Sequence, residues 1–212
     1  GRHGLIVGIN CYGTLQRLSK PAADAEAIAE ILETSGEFKI TRLPERIAAD
    51  GRPQVDPHQQ VTTAQLRRIV ADFLTPQDPD YPDLALLFFA GHGIREDIGL
   101  KEGYLAASDC NPAAERWGVS VSWLQRLLIN SPIRSQVVWL DCCHSGELLN
   151  LSAADPGGIS RCFIAASRSF EAAYEETEGG HGVLTGALLK GLNPTLQQDG
   201  RVTHFSLADT IN

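Results

Sequence analysis

The sequence has no methionine, not even at its first position, and no apolar segment close to the ~20 residues that a bilayer-spanning helix needs. Basic residues are the minority. Eighteen Lys and Arg face 26 Asp and Glu, a formal net charge of −8. That balance argues against a nucleic acid or an anionic membrane as partner, because both require clustered cationic side chains. The start, "GRHGLIVGIN", lacks the longer apolar core and cleavage pattern of a signal peptide. Five cysteines are an odd number, and at least two lie in apolar settings, which reads as reduced, cytoplasmic thiols and not as a disulfide framework. The missing initiator, and a last stretch "SLADTIN" that begins like a helix without a C-terminal cap, are expected of a module cut from a longer multidomain protein.

What is present is an ordinary globular composition, 43% hydrophobic and 21% charged over 212 residues, enough for one domain with a sizeable core. Four runs are apolar on both faces, as buried parallel strands are: 4–10, 84–91, 136–142 and 161–167. A fifth, 38–43, alternates. Helical patterns lie between them, from Asp24 to Gly36, from Thr62, from Ser120 and from Gly182. Thr62 or Thr63 suits an N-cap, and Gly36 a C-terminus. Alternation of this kind predicts an α/β fold, a mostly parallel central sheet flanked by helices on both faces. The loops at 44–61 and 147–160, rich in Pro, Gly, Asp and Gln, read as exposed insertions.

In such folds the loops leaving the C-terminal ends of the strands build the site. Three suggestive pieces fall there: "AGHG", "DCCHSG" and "ASRSFEAAYE". Cys143 follows a strand end, and a nearby imidazole can lower its pKa from the ordinary ~8.5. His144 is not the obvious activator, since neighbouring side chains on an extended segment point to opposite faces. His92 follows another strand, flanked by Gly91 and Gly93, which allow a tight turn. The Cys143 and His92 pair, 51 residues apart, offers nucleophile and acid/base for acyl transfer, with backbone N–H groups of Gly93 and Cys143 as oxyanion donors. Either residue alone would more often be a structural thiol or a loop histidine; together at strand ends, the catalytic reading overtakes. Cys142, one position earlier, points into the core.

Three other chemistries fit less well. A phosphatase loop wants an Arg several residues after the Cys, and none occurs before Arg161. A zinc site would lack its second half, so no metal is expected. A hydrolase elbow needs Gly two residues before the nucleophile, where Asp141 stands. Asp141 and Asp24, if both line a pocket beside the thiol, would bind a cationic side chain, with Arg best suited to a carboxylate fork. On spacing alone Asp24 reads equally as a helix-start acid.

Seven segments resemble the caspase-like cysteine peptidases (peptidase family C14, clan CD), specifically the metacaspases and their bacterial relatives, the orthocaspases. They are "LIVGIN", "PAADAEAI", "LLFFAGHG", "GYLAASD", "WLDCCHSGE", "FIAASRSFEAAYE" and "GVLTGALLKGL", in that family's order and over nearly the whole chain. The strand-end His with a Cys about 50 residues later is itself the family's spacing. The resemblance implies a caspase-hemoglobinase fold, a three-layer sandwich. The large-subunit-like part would span about 1–150, the connecting loop about 147–160, and an incomplete small-subunit-like part about 161–212. It implies peptide-bond hydrolysis with Cys143 as nucleophile and His92 as acid/base. It also implies protein or peptide substrates cut after Arg or Lys, with Asp24 and Asp141 in the specificity pocket. At Ala90 such enzymes often carry Ser. No cofactor is required, although many relatives are activated by calcium through acids that do not map here. Self-cleavage is expected at an exposed Arg such as Arg161. The alternative is a catalytically silent caspase-like docking module in a larger signalling protein; retention of Cys143, His92 and Asp141 favours the enzyme.

Overall fold

The computed structural model describes residues 1–77, 81–99, 101–142, 160–165 and 181–193. In chain order these form β1 (Arg2–Gly8), α1 (Pro21–Gly36), β2 (Phe38–Leu43), β3 (Glu45–Ile47), β4 (Pro53–Val55), α2 (Thr63–Leu74) and β5 (Leu84–Ala90). There follow β6 (Gly93–Glu96), β7 (Glu102–Leu105), a 3₁₀ turn at Pro112–Ala114, β8 (Val119–Ser120), α3 (Val121–Asn130), β9 (Ser135–Asp141), β10 (Ser160–Ala165) and α4 (Val183–Leu192).

The apolar runs become one five-stranded sheet in the order β10-β9-β5-β1-β2, and every pairing in it is parallel. Side chains alternate between its faces. Leu5, Leu87, Phe89 and Leu140 face Leu66 and Val70 of α2 and Leu124 and Leu128 of α3. Ile6, Leu86, Phe88 and Trp139 face Ile28 and Leu32 of α1 and Leu184 and Leu188 of α4. Both faces are covered, which is why these strands read as continuous apolar runs instead of alternating ones. The result is a three-layer sandwich, as the sequence predicts.

Local signals account for the helix starts. Thr62 caps α2 in a reciprocal capping box with Gln65. Ser120 caps α3 by accepting the Trp123 N–H. Helix α1 begins at Pro21, three residues before the expected Asp24, because proline at the first helical position has a preset φ and no N–H to orphan. Its first turn presses on the end of β1: a Cβ on Gly8 would stand 2.5 Å from the Pro21 carbonyl oxygen and 2.6 Å from Ala25 Cβ.

Two features depart from expectation. The stretch 44–61 is not only loop: β3 and β4 pair there as an antiparallel hairpin. A second antiparallel sheet, β6-β7-β8, follows His92. Strands of two to four residues carry no usable periodicity, so tertiary contacts decide them. For the hairpin the contact is visible. Arg42 of β2, 4% exposed, forks onto Glu33 at 2.8 Å and onto Glu26 at 3.0 Å, and Glu26 accepts the Val55 N–H of β4 at 2.7 Å. These bonds hold the Glu33 carboxyl below its usual range.

Strand order reverses beside β1, since the chain steps from β1 outward to β2 and then returns to β5 on the other side. The loops leaving β1 and β5 therefore set out from a switch point at the C-terminal edge, the usual ligand position in open α/β sheets. A test of the hairpin anchor is Arg42→Ala. It leaves two carboxylates without their buried cation, and urea unfolding should show a loss of about 3 kcal/mol; an unchanged midpoint would mean that the hairpin is held by packing alone.

Candidate active site

Three adjacent strands end in register, with Gly8 beside Ala90 and Ala90 beside Asp141. By alternation all three occupy the face covered by α1 and α4. The first two are the smallest residues available, and the third is an acid. Ala90 is 2% exposed and belongs to the core on that face.

Two residues past Ala90 stands His92. Its backbone is fixed on both sides: the N–H donates to the Tyr12 hydroxyl at 2.9 Å, and the carbonyl accepts the Ala106 N–H at 2.9 Å. Its ring Nε2 lies 2.8 Å from the Gln16 carbonyl oxygen. A carbonyl can only accept, so Nε2 carries a hydrogen, and in the neutral ring Nδ1 keeps the free lone pair. The Tyr12 ring packs edge-on against the imidazole, with centroids 4.7 Å apart. Gly91 is required by this arrangement, since a Cβ there would stand 2.6 Å from the Tyr12 hydroxyl oxygen. The bond between Ala106 N–H and the His92 carbonyl also fixes the kind of pairing at the start of β6. Gly93 opposite Leu105 is a non-hydrogen-bonded pair, so the Gly93 N–H points away from β7.

The two acids meet at the start of α4. Asp24, 3% exposed, accepts the Gly182 N–H at 3.0 Å through Oδ2, and its Oδ1 lies 2.7 Å from His181 Nδ1. Asp141, half-buried, accepts the Thr185 hydroxyl at 2.7 Å and the Thr185 N–H at 3.3 Å through Oδ2. A Cβ on Gly182 would stand 2.8 Å from Asp141 Oδ2 and 3.1 Å from Asp24 Oδ2, so only glycine lets both carboxylates approach this point. The orphan N–H groups and positive dipole end of a helix favour such acids. Burial raises the Asp24 carboxyl above its usual value; the Gly182 N–H and His181 pull it back, and the Asp141 charge pushes it up.

Asp24 and Asp141, taken together in the sequence as a candidate pair, do converge at the α4 start, and His92 follows β5 as expected. Cys142 is buried in the core, 6% exposed. Cys143 lies outside the described residues, as do His144, Arg168 and the "SFEAAYE" stretch. Arg161 does not end an exposed loop. It pairs with Gln136 within β10, half-buried, and donates through Nε to Gln136 Oε1 at 3.1 Å. Parallel pairing with β9 begins at Ser160, one residue before it, so Arg161 lies within the strand. Sequence reasoning missed Tyr12, Gln16, His181 and Thr185. Gln16 contributes only its carbonyl, for which no residue type is diagnostic, whereas Gly182 and Thr185 sit at N-cap and N3 positions that could have been noticed.

Among the described residues no group of three or more His, Cys, Asp and Glu could hold a metal ion, and no helix is long and apolar enough to cross a membrane.

A parallel sheet covered by helices on both faces, with a backbone-clamped histidine at its switch point, is a three-layer α/β architecture with its candidate site at the strand ends. The family is narrower: the caspase-domain family model matches residues 2–206, and the chain belongs to that family of cysteine peptidases, which act on protein substrates. No curated protein sequence matches the chain. Among solved structures it is similar to the Drosophila initiator caspase Dronc, with a TM-score of 0.54 and 10% identity over 90% of this chain and 64% of that one. It is also similar to pro-sf-caspase-1, with a TM-score of 0.56 and 15% identity over 99% of this chain and 75% of that one. At such identities the likeness shows the caspase-hemoglobinase fold, and the chain spans about two thirds of the length of Dronc.

The raised Asp24 carboxyl makes a signed prediction. Such a group holds its proton more tightly in the folded state, so its contribution to stability is present at low pH and fades as pH rises through its folded pKa. Asp24→Asn removes that titration. The difference in unfolding free energy should therefore shift in the variant's favour from about pH 4 to about pH 7. A shift the other way would show that the bonds from His181 and Gly182 outweigh burial.

Proposed function

We propose that the chain is a cysteine endopeptidase of the metacaspase and orthocaspase kind, cutting peptide bonds after Arg or Lys. The observation that carries this reading is the state of His92: with Nε2–H held by the Gln16 carbonyl, Nδ1 is the atom free to take a proton. Cys143 stands two residues past Asp141 in the sequence, as His92 stands two past its register partner Ala90. In the proposed cycle the Cys143 thiol gives its proton to His92 Nδ1, and the thiolate attacks the scissile carbonyl carbon. The oxyanion takes the Gly93 N–H, which the β6–β7 ladder leaves free, and the Cys143 N–H. The imidazolium, still bonded to the Gln16 carbonyl, protonates the leaving amine. Water then hydrolyses the thioester with His92 as base.

Asp24 and Asp141 supply the affinity for a basic side chain. Two like charges at the α4 start, one of them desolvated, gain from a guanidinium between them. Asp141 Oδ1 makes no hydrogen bond with another described residue, whereas both oxygens of Asp24 are engaged. Asp141 is therefore the first point of contact, and Asp24 shares or exchanges its bond to His181.

Fluorogenic peptides ending in Arg, Lys or Asp test this, with and without calcium. Cleavage after Arg or Lys should fall more than about 1,000-fold in Cys143→Ala and His92→Ala. Asp141→Asn should raise KM for the Arg peptide by about 10-fold or more, the loss of one charge-assisted bond. Cleavage after Asp instead, or none in the presence of a thiol-reactive Cys143, would overturn the reading and leave the docking module.

A further inference from the structure

The loop leaving β1 reaches His92 three times. Gln16 holds the tip of the imidazole, the Tyr12 hydroxyl holds the His92 N–H, and the Tyr12 ring closes edge-on against the imidazole at 4.7 Å and 64°. The loop is in turn tied down at its own ends. Gly13 N–H donates to the Ser108 carbonyl at 2.8 Å, Leu18 N–H donates to the Asn10 carbonyl at 2.9 Å, and the Cys11 thiol lies 3.4 Å from the Pro57 carbonyl. Tyr12 itself packs against the core between the sheet and α2 and α3.

We infer that Tyr12 is a positioning residue for the acid/base: its hydroxyl sets the backbone of His92 and its ring sets the plane of the imidazole, so that Nδ1 is presented in one orientation. The inference rests on the reading of His92 as the acid/base of Cys143. The hydrogen bond donated by Nε2–H to the Gln16 carbonyl alone fixes one point of the ring and leaves rotation about the line through that bond. The edge of Tyr12 removes that rotation, because turning the imidazole would drive it into the phenol ring. The hydroxyl also replaces the strand ladder that ends at Ala90: past that point the His92 N–H has the phenol oxygen as its partner. Gly91 makes room for this oxygen, which ties the glycine before the histidine to the same purpose. Burial holds the phenol well above its usual pKa, so the acceptor at His92 remains a neutral hydroxyl throughout the working range.

The effect acts through His92 and not through substrate, so it should appear in kcat and in the thiol's ionisation, not in KM. Tyr12→Phe keeps the ring and deletes the acceptor; Tyr12→Ala deletes both. Misplacement of a reacting group by about 1 Å costs up to about 100-fold. On that scale kcat should fall about 3-fold to 10-fold in Tyr12→Phe and about 100-fold in Tyr12→Ala, with KM within about 2-fold.

A second measurement is independent of peptide cleavage. Iodoacetamide alkylates a thiolate, forming the S–C bond as iodide leaves, and peptide mass spectrometry can follow this at Cys143. The pH profile of the rate reports the pairing of thiolate and imidazolium. His92→Ala should move the profile toward that of a free thiol, and Tyr12→Phe should move it part of the way, with thermal unfolding of Tyr12→Phe within a few degrees of wild type. A shifted profile in His92→Ala with an unchanged one in Tyr12→Phe overturns the role of Tyr12 and leaves the catalytic reading intact. No shift in His92→Ala overturns the pairing with Cys143, and the role of Tyr12 falls with it.

Discussion

Everything in the site depends on parallel strands ending at one edge. In the parallel sheet each strand delivers its last residue to the same side, so residues far apart in sequence become neighbours without any loop having to reach. Gly8, Ala90 and Asp141 lie side by side for this reason alone. The reversal of strand order beside β1 then puts the loop leaving β1 and the loop that carries His92 at one switch point. The first turn of α1 can crowd this edge only because Gly8 has no side chain. A Cβ there would collide with the Pro21 carbonyl. The closeness of α1 brings Asp24 to the edge, and Asp24 brings the start of α4.

The same edge shows two ways of fixing a polar group. His92 is held mainly by a short loop, through the Gln16 carbonyl and the hydroxyl and ring of Tyr12, with the Ala106 N–H on its own carbonyl. That loop lies 76 to 80 residues away in sequence and is pinned at both ends. The acids are held by an element 157 residues away from Asp24 in sequence, through a helix terminus whose N–H groups would otherwise be orphans. That terminus is an anion site by construction, and here the anions come from the protein's own strands and helices.

Much of this was legible in the sequence. Buried parallel strands announce themselves by being apolar on both faces, and all four were found within one or two residues of their ends. His92, Asp24 and Asp141 were singled out because strand ends and first helical turns are few, and polar residues there have limited uses. The parts that stayed hidden share a physical reason. The hairpin β3–β4 is held by Arg42 and Glu26 across the fold, and nothing within three residues of strand encodes that. Gln16 acts by its carbonyl, which every residue possesses. Tyr12 is a core aromatic by composition and a ligand of His92 only by geometry. Arg161, the first residue of the expected strand, was also read as the exposed end of the preceding loop, whereas pairing with β9 starts at Ser160 and leaves Arg161 half-buried beside Gln136.

The acid pair also shows why burial and binding need not conflict at this edge. A carboxylate as desolvated as Asp24 is unfavourable unless something cationic or a donor approaches it. In the folded chain that need is met by His181 and the Gly182 N–H, which supply donors but bring a full positive charge only when the imidazole is protonated. A guanidinium brings a permanent charge and a planar fork, so it offers both acids more than His181 can. The helix start therefore stabilises the pair in the folded chain, and on the proposed function a basic side chain would stabilise it further. On the proposed specificity, two converging carboxylates, and not a single one, are what would favour Arg over any neutral side chain.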